Sequence, residues 1–171
     1  MDTFLAIASR RDERRYRPDP LPEATVGRIL DAGRLSGSAG NRQPWTFVVP
    51  TDRARLDRLS EGVFEPGNIH SAGLVVAMVV SGKGPVRFDA GRAAQNMLLA
   101  AWNAGVSSCP NGIADADRVR AALDLAEGEE IAIVLSFGVP ERPRDVGARS
   151  AEEWSARANR KPLDELVRRL G

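Results

Sequence analysis

Apolar residues recur along the chain with spacings that predict both helices and strands. Spacings of three and four predict a short helix over residues 2–9 and a second helix that begins at Pro22 and ends before the small residues SGSAGN. The run LVVAMVV at residues 74–80 is apolar at every position, as is typical of a strand buried on both faces. Shorter apolar runs at residues 46–49 and 131–137 predict two more strands. The pattern predicts a mixed α/β domain.

The longest predicted helix covers residues 89–104, DAGRAAQNMLLAAWNA, and is expected to end at Gly105. Because this helix is apolar almost all round, it needs cover on every side, which indicates a subunit interface. Shorter helices are expected over residues 52–59 and from Asp115 or Asp117 to Leu123.

The composition becomes more polar after Pro140. Ser150 and Glu153 have the spacing of a capping box, and Pro162 is expected to open a last amphipathic helix that runs to Leu170. We expect one domain over residues 1–171, in which residues 141–171 form an arm that wraps a partner subunit.

Length and charge restrict the function classes. The 171 residues are 43% hydrophobic and 27% charged, which is ordinary for one globular domain. Because 24 basic residues face 23 acidic ones, the net charge of +1 offers nucleic acid no broad positive field. No apolar run approaches the ~20 residues that cross a bilayer, and the first residues are too few and too basic for a secretory signal. We therefore expect a cytoplasmic protein with no membrane or nucleic-acid partner.

Metal and nucleophilic chemistry are not expected. Cys109 is the single cysteine and His70 the single histidine, which excludes an internal disulfide and a structural zinc site. Neither residue stands in a recognisable relation to a catalytic partner. The motifs GxGxxG, GxxxxGK[ST], GxSxG and HExxH are absent from the sequence.

Three segments carry candidate chemistry. SRRDERRYR at residues 9–17 is either a solvated basic stretch or an anion site, since guanidinium groups bind phosphate bidentately. SAGNRQPW at residues 38–45 places a serine and two amides at a strand entrance, where they suit a flat heterocycle with alternating carbonyl and N–H groups. GVSSCPNGI at residues 105–113 is expected to be a loop, either a plain connection or a backbone close to a ring.

In their order along the chain, these segments resemble the nitroreductase family of flavoproteins. The resemblance rests on SRR-x-x-R-x-Y, S-x-x-N-x-Q-P-W-x-F, a long apolar helix ending in glycine, CPNG and RKPL. It implies a central mixed β-sheet flanked by helices and an intertwined homodimer with FMN at the subunit interface. It also implies that NADH or NADPH and an electron-poor acceptor, such as a nitroaromatic or a quinone, react in alternating half-reactions. The flavin carries this chemistry, so no catalytic residue is assigned.

The resemblance assigns a role to each matching position. Arg10 and Arg11 resemble phosphate ligands, Arg160 completes the phosphate site, and Ser38 and Asn41 reach the flavin of the other subunit. The backbone at residues 110–112 is expected to face the ring near N5, and Asn68 is a looser match to a ring contact. The implied cofactor-binding residues are Arg10, Arg11, Asp12, Arg14, Ser38, Ala39, Asn41, Gln43, Pro110, Asn111, Gly112, Arg160 and Lys161.

Two positions depart from the family pattern. Asp12 stands where the family commonly has serine, and Gly37 stands where a proline is usual. The variant RRD-x-R also resembles 5,6-dimethylbenzimidazole synthase, a branch that consumes its own flavin with oxygen. That branch is generally longer, so the length favours a simple reductase. Such a synthase and a non-enzymatic flavin-binding protein remain the alternatives.

Overall fold

The computed structural model describes residues 2–170, which divide into two units. The smaller unit contains residues 2–10 and 144–170, and the larger unit contains residues 11–143. In chain order the elements are α1 (Thr3–Ser9), β1 (Tyr16–Arg17), α2 (Glu23–Arg34), β2 (Trp45–Val48), α3 (Arg53–Ser60), α4 (Gly67–His70), β3 (Leu74–Val80), α5 (Val86–Asn103), β4 (Ser107–Asn111), α6 (Ala116–Leu123), β5 (Glu130–Pro140), α7 (Ala151–Ala156) and α8 (Leu163–Leu166).

The long strand β5 organises the sheet of the larger unit. One edge of β5 pairs with β3, and β3 pairs in turn with β2. The other edge pairs with β4, and the last residues of β5 pair with β1. Helices and strands are interspersed along the chain, which confirms the predicted α/β class. The prediction of a mixed sheet is wrong for the described strands, because all of their pairings are antiparallel.

The apolar run of β3 is explained by helices on both faces of the sheet. Val76 and Met78 point into a cluster that α2 and α5 complete. Val75 and Val79 point to the opposite face, into a cluster completed by α3 and α6. Because successive side chains of a strand alternate between its faces, every position of β3 needs an apolar residue. Burial on both faces therefore arises here without a parallel sheet.

Helix boundaries follow the capping residues of the sequence. The Asp52 carboxylate accepts a hydrogen bond from the Arg55 backbone N–H at 2.8 Å and caps α3. Asp115 caps α6 in the same way, so the helix begins after the first of the two predicted aspartates. Helix α5 begins at Val86, one turn before the predicted start, and Gly105 with φ of +72° follows its last turn.

The segment at residues 105–113 was predicted as a loop, and this prediction is wrong for its central part. Residues 107–111 form strand β4, which is buried against β5 from Val134 to Gly138. The strand was missed because the small side chains of SSCPN show no alternation of apolar and polar residues. The backbone hydrogen bonds that pair β4 with β5 do not depend on such a pattern. Pro110 lacks an N–H, which a strand tolerates where only one edge is paired.

In the smaller unit, α1 and α7 pack together. The predicted capping box is present, since Ser150 Oγ accepts from Glu153 N and the Glu153 carboxylate accepts from Ser150 N. Trp154 donates from Nε1 to the Val146 carbonyl at 3.0 Å. The last helix is shorter than predicted, because α8 ends at Leu166. Four apolar side chains of this segment are exposed: Leu163, Leu166, Val167 and Leu170.

Within residues 2–170, no helix combines the length and the apolar character that a bilayer-spanning segment requires.

Candidate functional site

The SAGNRQPW segment is folded onto the first turns of α5. Ser38 Oγ accepts a hydrogen bond from Gln43 N at 2.8 Å, which closes the loop on itself. The Ala39 N–H donates to Asp89 Oδ2 at 3.0 Å, and the Asp89 side chain is buried. A buried carboxylate is costly unless it is hydrogen-bonded, so this bond fixes the loop to the helix.

Three residues of this loop have left-handed backbone conformations. They are Gly40, Asn41 and Gln43, with φ of +58°, +54° and +49°. Asparagine tolerates this region, but glutamine rarely adopts it. The Gln43 side chain donates from Nε2 to Asn41 Oδ1 at 3.3 Å. The loop therefore holds two exposed amides together at a strained position, which points to function rather than to stability.

A cavity of about 410 Å³ lies beside this loop. Gln43 and Trp45 contribute to its wall, together with the turn that carries Lys83. Arg42 spans the opening, since its Nε donates to the Ala39 carbonyl and its guanidinium to the Lys83 carbonyl. The cavity is thus polar at its rim and bordered by an aromatic ring.

The arginine segment lies beside the β4–β5 end of the sheet. Glu13 N donates to the Ser108 carbonyl, and Glu141 N donates to the Arg15 carbonyl. Asp12 and Arg14 line a cavity of about 370 Å³. Arg14 also lines a second cavity of about 500 Å³, whose wall includes Arg15, Gly67, Asn68 and Ser71. The exposed guanidinium of Arg14 can therefore reach a ligand in either cavity.

The end of β4 contains a buried amide whose oxygen and nitrogen are both hydrogen-bonded within the protein. Asn111 Oδ1 accepts from Asn68 Nδ2 at 2.7 Å. Asn111 Nδ2 is within hydrogen-bond distance of the Cys109 carbonyl, the Val134 carbonyl and Ser136 Oγ. The side chain of Asn111 is thus committed to the protein interior, and the exposed residue of this segment that can contact a ligand is Gly112.

Gly112, at the exit of β4, is exposed and lies beside an aromatic ring. The Phe64 N–H donates to the Gly112 carbonyl at 3.1 Å. The ring of Phe64 is 71% exposed, and a Cβ at residue 112 would lie 3.0 Å from it. A larger residue at this position would crowd the ring. The backbone is therefore accessible where the sequence predicted a close approach to a flat ligand.

The structure brings some of the predicted site residues together and keeps others apart. Asp12 and Arg14 share one cavity, and Arg14 shares another with Asn68. Gln43 lines a cavity that has no wall residue in common with these two. Pro110 and Arg11 are half-buried. Arg10, Arg160 and Lys161 belong to the smaller unit, where Arg160 donates to the Ala158 carbonyl.

Sequence reasoning assigned no role to Tyr16 or Ser136, and Tyr16 lines the cavity of about 500 Å³ together with Arg14. The Tyr16 hydroxyl lies 3.0 Å from Ser136 Oγ, and both residues are buried. A signal existed in the sequence, since a serine inside the apolar run IAIVLSF needs a hydrogen-bond partner in a buried strand. In the described part of the chain, no three His, Cys, Asp or Glu side chains cluster as metal ligands would.

Known proteins share this fold and this sequence pattern. The family model described as the nitroreductase family matches residues 7–82 and 86–139. An Archaeoglobus fulgidus protein, provisionally named an NADH dehydrogenase/NAD(P)H nitroreductase, is 33% identical over 150 residues that cover 81% of this chain and 86% of that protein. The 5,6-dimethylbenzimidazole synthase of Rhodospirillum rubrum is 52% identical over 46 residues, which are 27% of this chain and 22% of that protein.

A solved structure extends the similarity to the whole chain. It is a provisionally named nitroreductase from Desulfovibrio desulfuricans, in complex with FMN. It is 27% identical, has a TM-score of 0.83, and the match covers 100% of this chain and 98% of that one. The family model, the Archaeoglobus relative and this structure all confirm the resemblance seen in the sequence. The chain belongs to the nitroreductase family.

Proposed function

We propose that the protein is an FMN-dependent NAD(P)H oxidoreductase that reduces nitroaromatics, quinones or similar electron-poor acceptors. The observation that carries the proposal is the cavity of about 500 Å³ that Arg14 lines together with Asn68, whose amide is bonded to Asn111 at the end of β4. The Asn68–Asn111 hydrogen bond thus connects a cation for phosphate to the strand that precedes an exposed backbone for a ring. The names of the Archaeoglobus and Desulfovibrio proteins support the same activity.

The residues of the larger unit fit FMN in chemical type. Arg14 is exposed for a phosphate group, and Gly112 exposes backbone that a flat ring can approach. Asn41 and Gln43 present amides that can donate and accept along the edge of a heterocycle. FMN, when bound, supplies the hydride-transfer chemistry, so the protein has to bind, orient and leave one ring face open. Arg10, Arg11, Arg160 and Lys161 are further proposed ligands.

The proposal includes a homodimer and a single functional domain over residues 1–171. The loop with Asn41 and Gln43 borders a different cavity from Arg14, as expected if each loop serves the flavin of the partner subunit. The exposed leucines of α8 belong to residues 141–171, the proposed arm around the partner. Since the proposed donor is a cytoplasmic coenzyme, we expect the enzyme to act in the cytoplasm.

A second candidate function has one observation in its favour. The similarity to the Rhodospirillum synthase is high over a short stretch, and Asp12 is a feature of that resemblance. A synthase of this kind would destroy its own flavin under oxygen and release a product that absorbs in the ultraviolet. The match covers only a small part of that protein, so we favour the reductase.

The purified protein is expected to be yellow and to release FMN rather than FAD on acid treatment. The proposed site anchors a terminal phosphate with arginines, and the sequence has no dinucleotide fingerprint. Chromatography of the acid supernatant against both flavins measures the outcome. A colourless protein that cannot be reconstituted with FMN would overturn the proposed function.

A further inference from the structure

A chain of buried hydrogen bonds runs through the larger unit from β1 to α4. The Tyr16 hydroxyl lies 3.0 Å from Ser136 Oγ, which is 3.1 Å from Asn111 Nδ2. Asn111 Oδ1 accepts from Asn68 Nδ2 at 2.7 Å. Ser136 Oγ also donates to the Cys109 carbonyl on β4. Four elements, β1, β5, β4 and α4, are therefore linked through one serine and one asparagine.

Packing around Tyr16 leaves room for this chain. Gly138 faces Tyr16 across the β1–β5 end of the sheet, and a Cβ at residue 138 would lie 2.5 Å from Tyr16 Cγ. Any larger residue would displace the tyrosine ring and its hydroxyl. Buried polar groups cost stability unless they are paired, and a core strand could hold an apolar residue at position 136 instead. The arrangement therefore has a purpose other than filling the core.

These buried hydrogen bonds connect the two parts of the proposed flavin site that lie in the larger unit. Tyr16 directly follows Arg15 within the arginine segment, so its position fixes where Arg14 and Arg15 leave the sheet. Asn111 directly precedes Gly112, where the backbone is accessible to a ring. Because Ser136 bonds to both Tyr16 and Asn111, it fixes the distance between the phosphate-binding and ring-binding ends.

We propose that Ser136 is a positioning residue for the flavin, which holds the Asn111–Gly112 backbone in register with the arginine segment through Tyr16 and Asn111. This inference rests on the proposed function, since it concerns the same site. Ser136 is fully buried and acts through its neighbours. A backbone N–H of this segment placed near N5 would bond to the oxidised ring, which has a lone pair there, and not to the reduced ring, which carries a hydrogen. Loosening the register therefore weakens binding of oxidised FMN more than binding of reduced FMN.

The test compares Ser136→Ala, Tyr16→Phe and the double variant with the unmodified protein. We expect Ser136→Ala to weaken binding of oxidised FMN by about threefold to tenfold, as for the loss of one or two hydrogen bonds. The same change raises the two-electron midpoint potential by up to about 30 mV, which corresponds to a tenfold change in the ratio of the two affinities. The double variant is expected to bind oxidised FMN no more weakly than Ser136→Ala alone, because both substitutions break the same series of hydrogen bonds.

Ser60→Ala is the matched control, since Ser60 is another buried serine that bonds to a side chain, that of His70. It is expected to lower the melting temperature without changing FMN affinity or potential. If Ser136→Ala behaves like this control, the serine is merely structural and the inference fails while the proposed function stands. If the unmodified protein binds no FMN, the proposed function and the inference both fail.

Discussion

Arg14→Ala is expected to weaken FMN binding by about tenfold to a hundredfold. A hydrogen bond to a charged group contributes about 1.5–3 kcal/mol, which corresponds to this range of dissociation constants. The Arg14 side chain is exposed and forms no ion pair within residues 2–170, so its removal leaves the fold undisturbed. Titration of the apoprotein with FMN, followed by flavin fluorescence, measures the effect.

Arg34→Ala provides the control for this prediction. Arg34 is also an exposed arginine, but its guanidinium is paired with Asp31 at 2.6 Å on the surface of α2. Exposed pairs of this kind contribute at most about 1 kcal/mol to stability. Small and equal effects of the two substitutions on FMN affinity would mean that the arginine segment is only a solvated basic stretch.

The double variant Leu163→Glu/Leu166→Glu is expected to be monomeric and to lose most of its FMN. Both leucines are exposed in the single chain, at 74% and 63%, so the substitutions remove little packing within it. In the proposed dimer, four introduced carboxylates would have to be buried at the interface, which is strongly unfavourable. Because flavin binding and dimerisation are linked when the partner completes the site, the loss of one weakens the other.

Sedimentation of the variant at low micromolar concentration, with absorbance detection of the flavin, gives both quantities together. Arg168→Glu is the matched control, because it changes the net charge by the same two units without removing an apolar side chain. A monomer that retains its FMN would show that the SAGNRQPW loop does not serve a partner subunit. A dimer of normal stability would show that α8 is not part of the arm.

The sequence predicted those parts of the fold whose physical cause is a pattern of side chains. β3 was predicted with its observed bounds because helices cover both of its faces, which leaves seven apolar residues in succession. The caps of α3, α6 and α7 were visible as aspartate or serine before a helical run. These features are local, or reflect burial directly, and one sequence is enough to see them.

Other parts depended on contacts between distant segments. β4 was missed because its pairing with β5 uses backbone groups, while its side chains are small and polar. The antiparallel arrangement was equally hidden, since β3 would have the same composition in a parallel sheet. The short elements β1 and α4 contain too few residues to show any period.

The candidate site shows the same division. The motif residues Asp12 and Arg14 line one cavity. Gly112 is exposed, which a backbone contact with the flavin ring would require. The interior role of the Asn111 side chain was not visible, because its partners Asn68 and Ser136 lie 43 and 25 residues away in sequence. Hydrogen bonds over such separations exist only once the sheet has formed.

The central claim is tested most directly by an anaerobic absorbance titration of the FMN-loaded protein with NADH and with NADPH. The account predicts that at least one donor removes the visible flavin absorbance and that a nitroaromatic or a quinone then restores it, with the amount of flavin unchanged. A flavin spectrum that neither donor alters would contradict the account and leave a flavin-binding protein. Irreversible loss of the flavin when oxygen is admitted would also contradict it, in favour of the synthase.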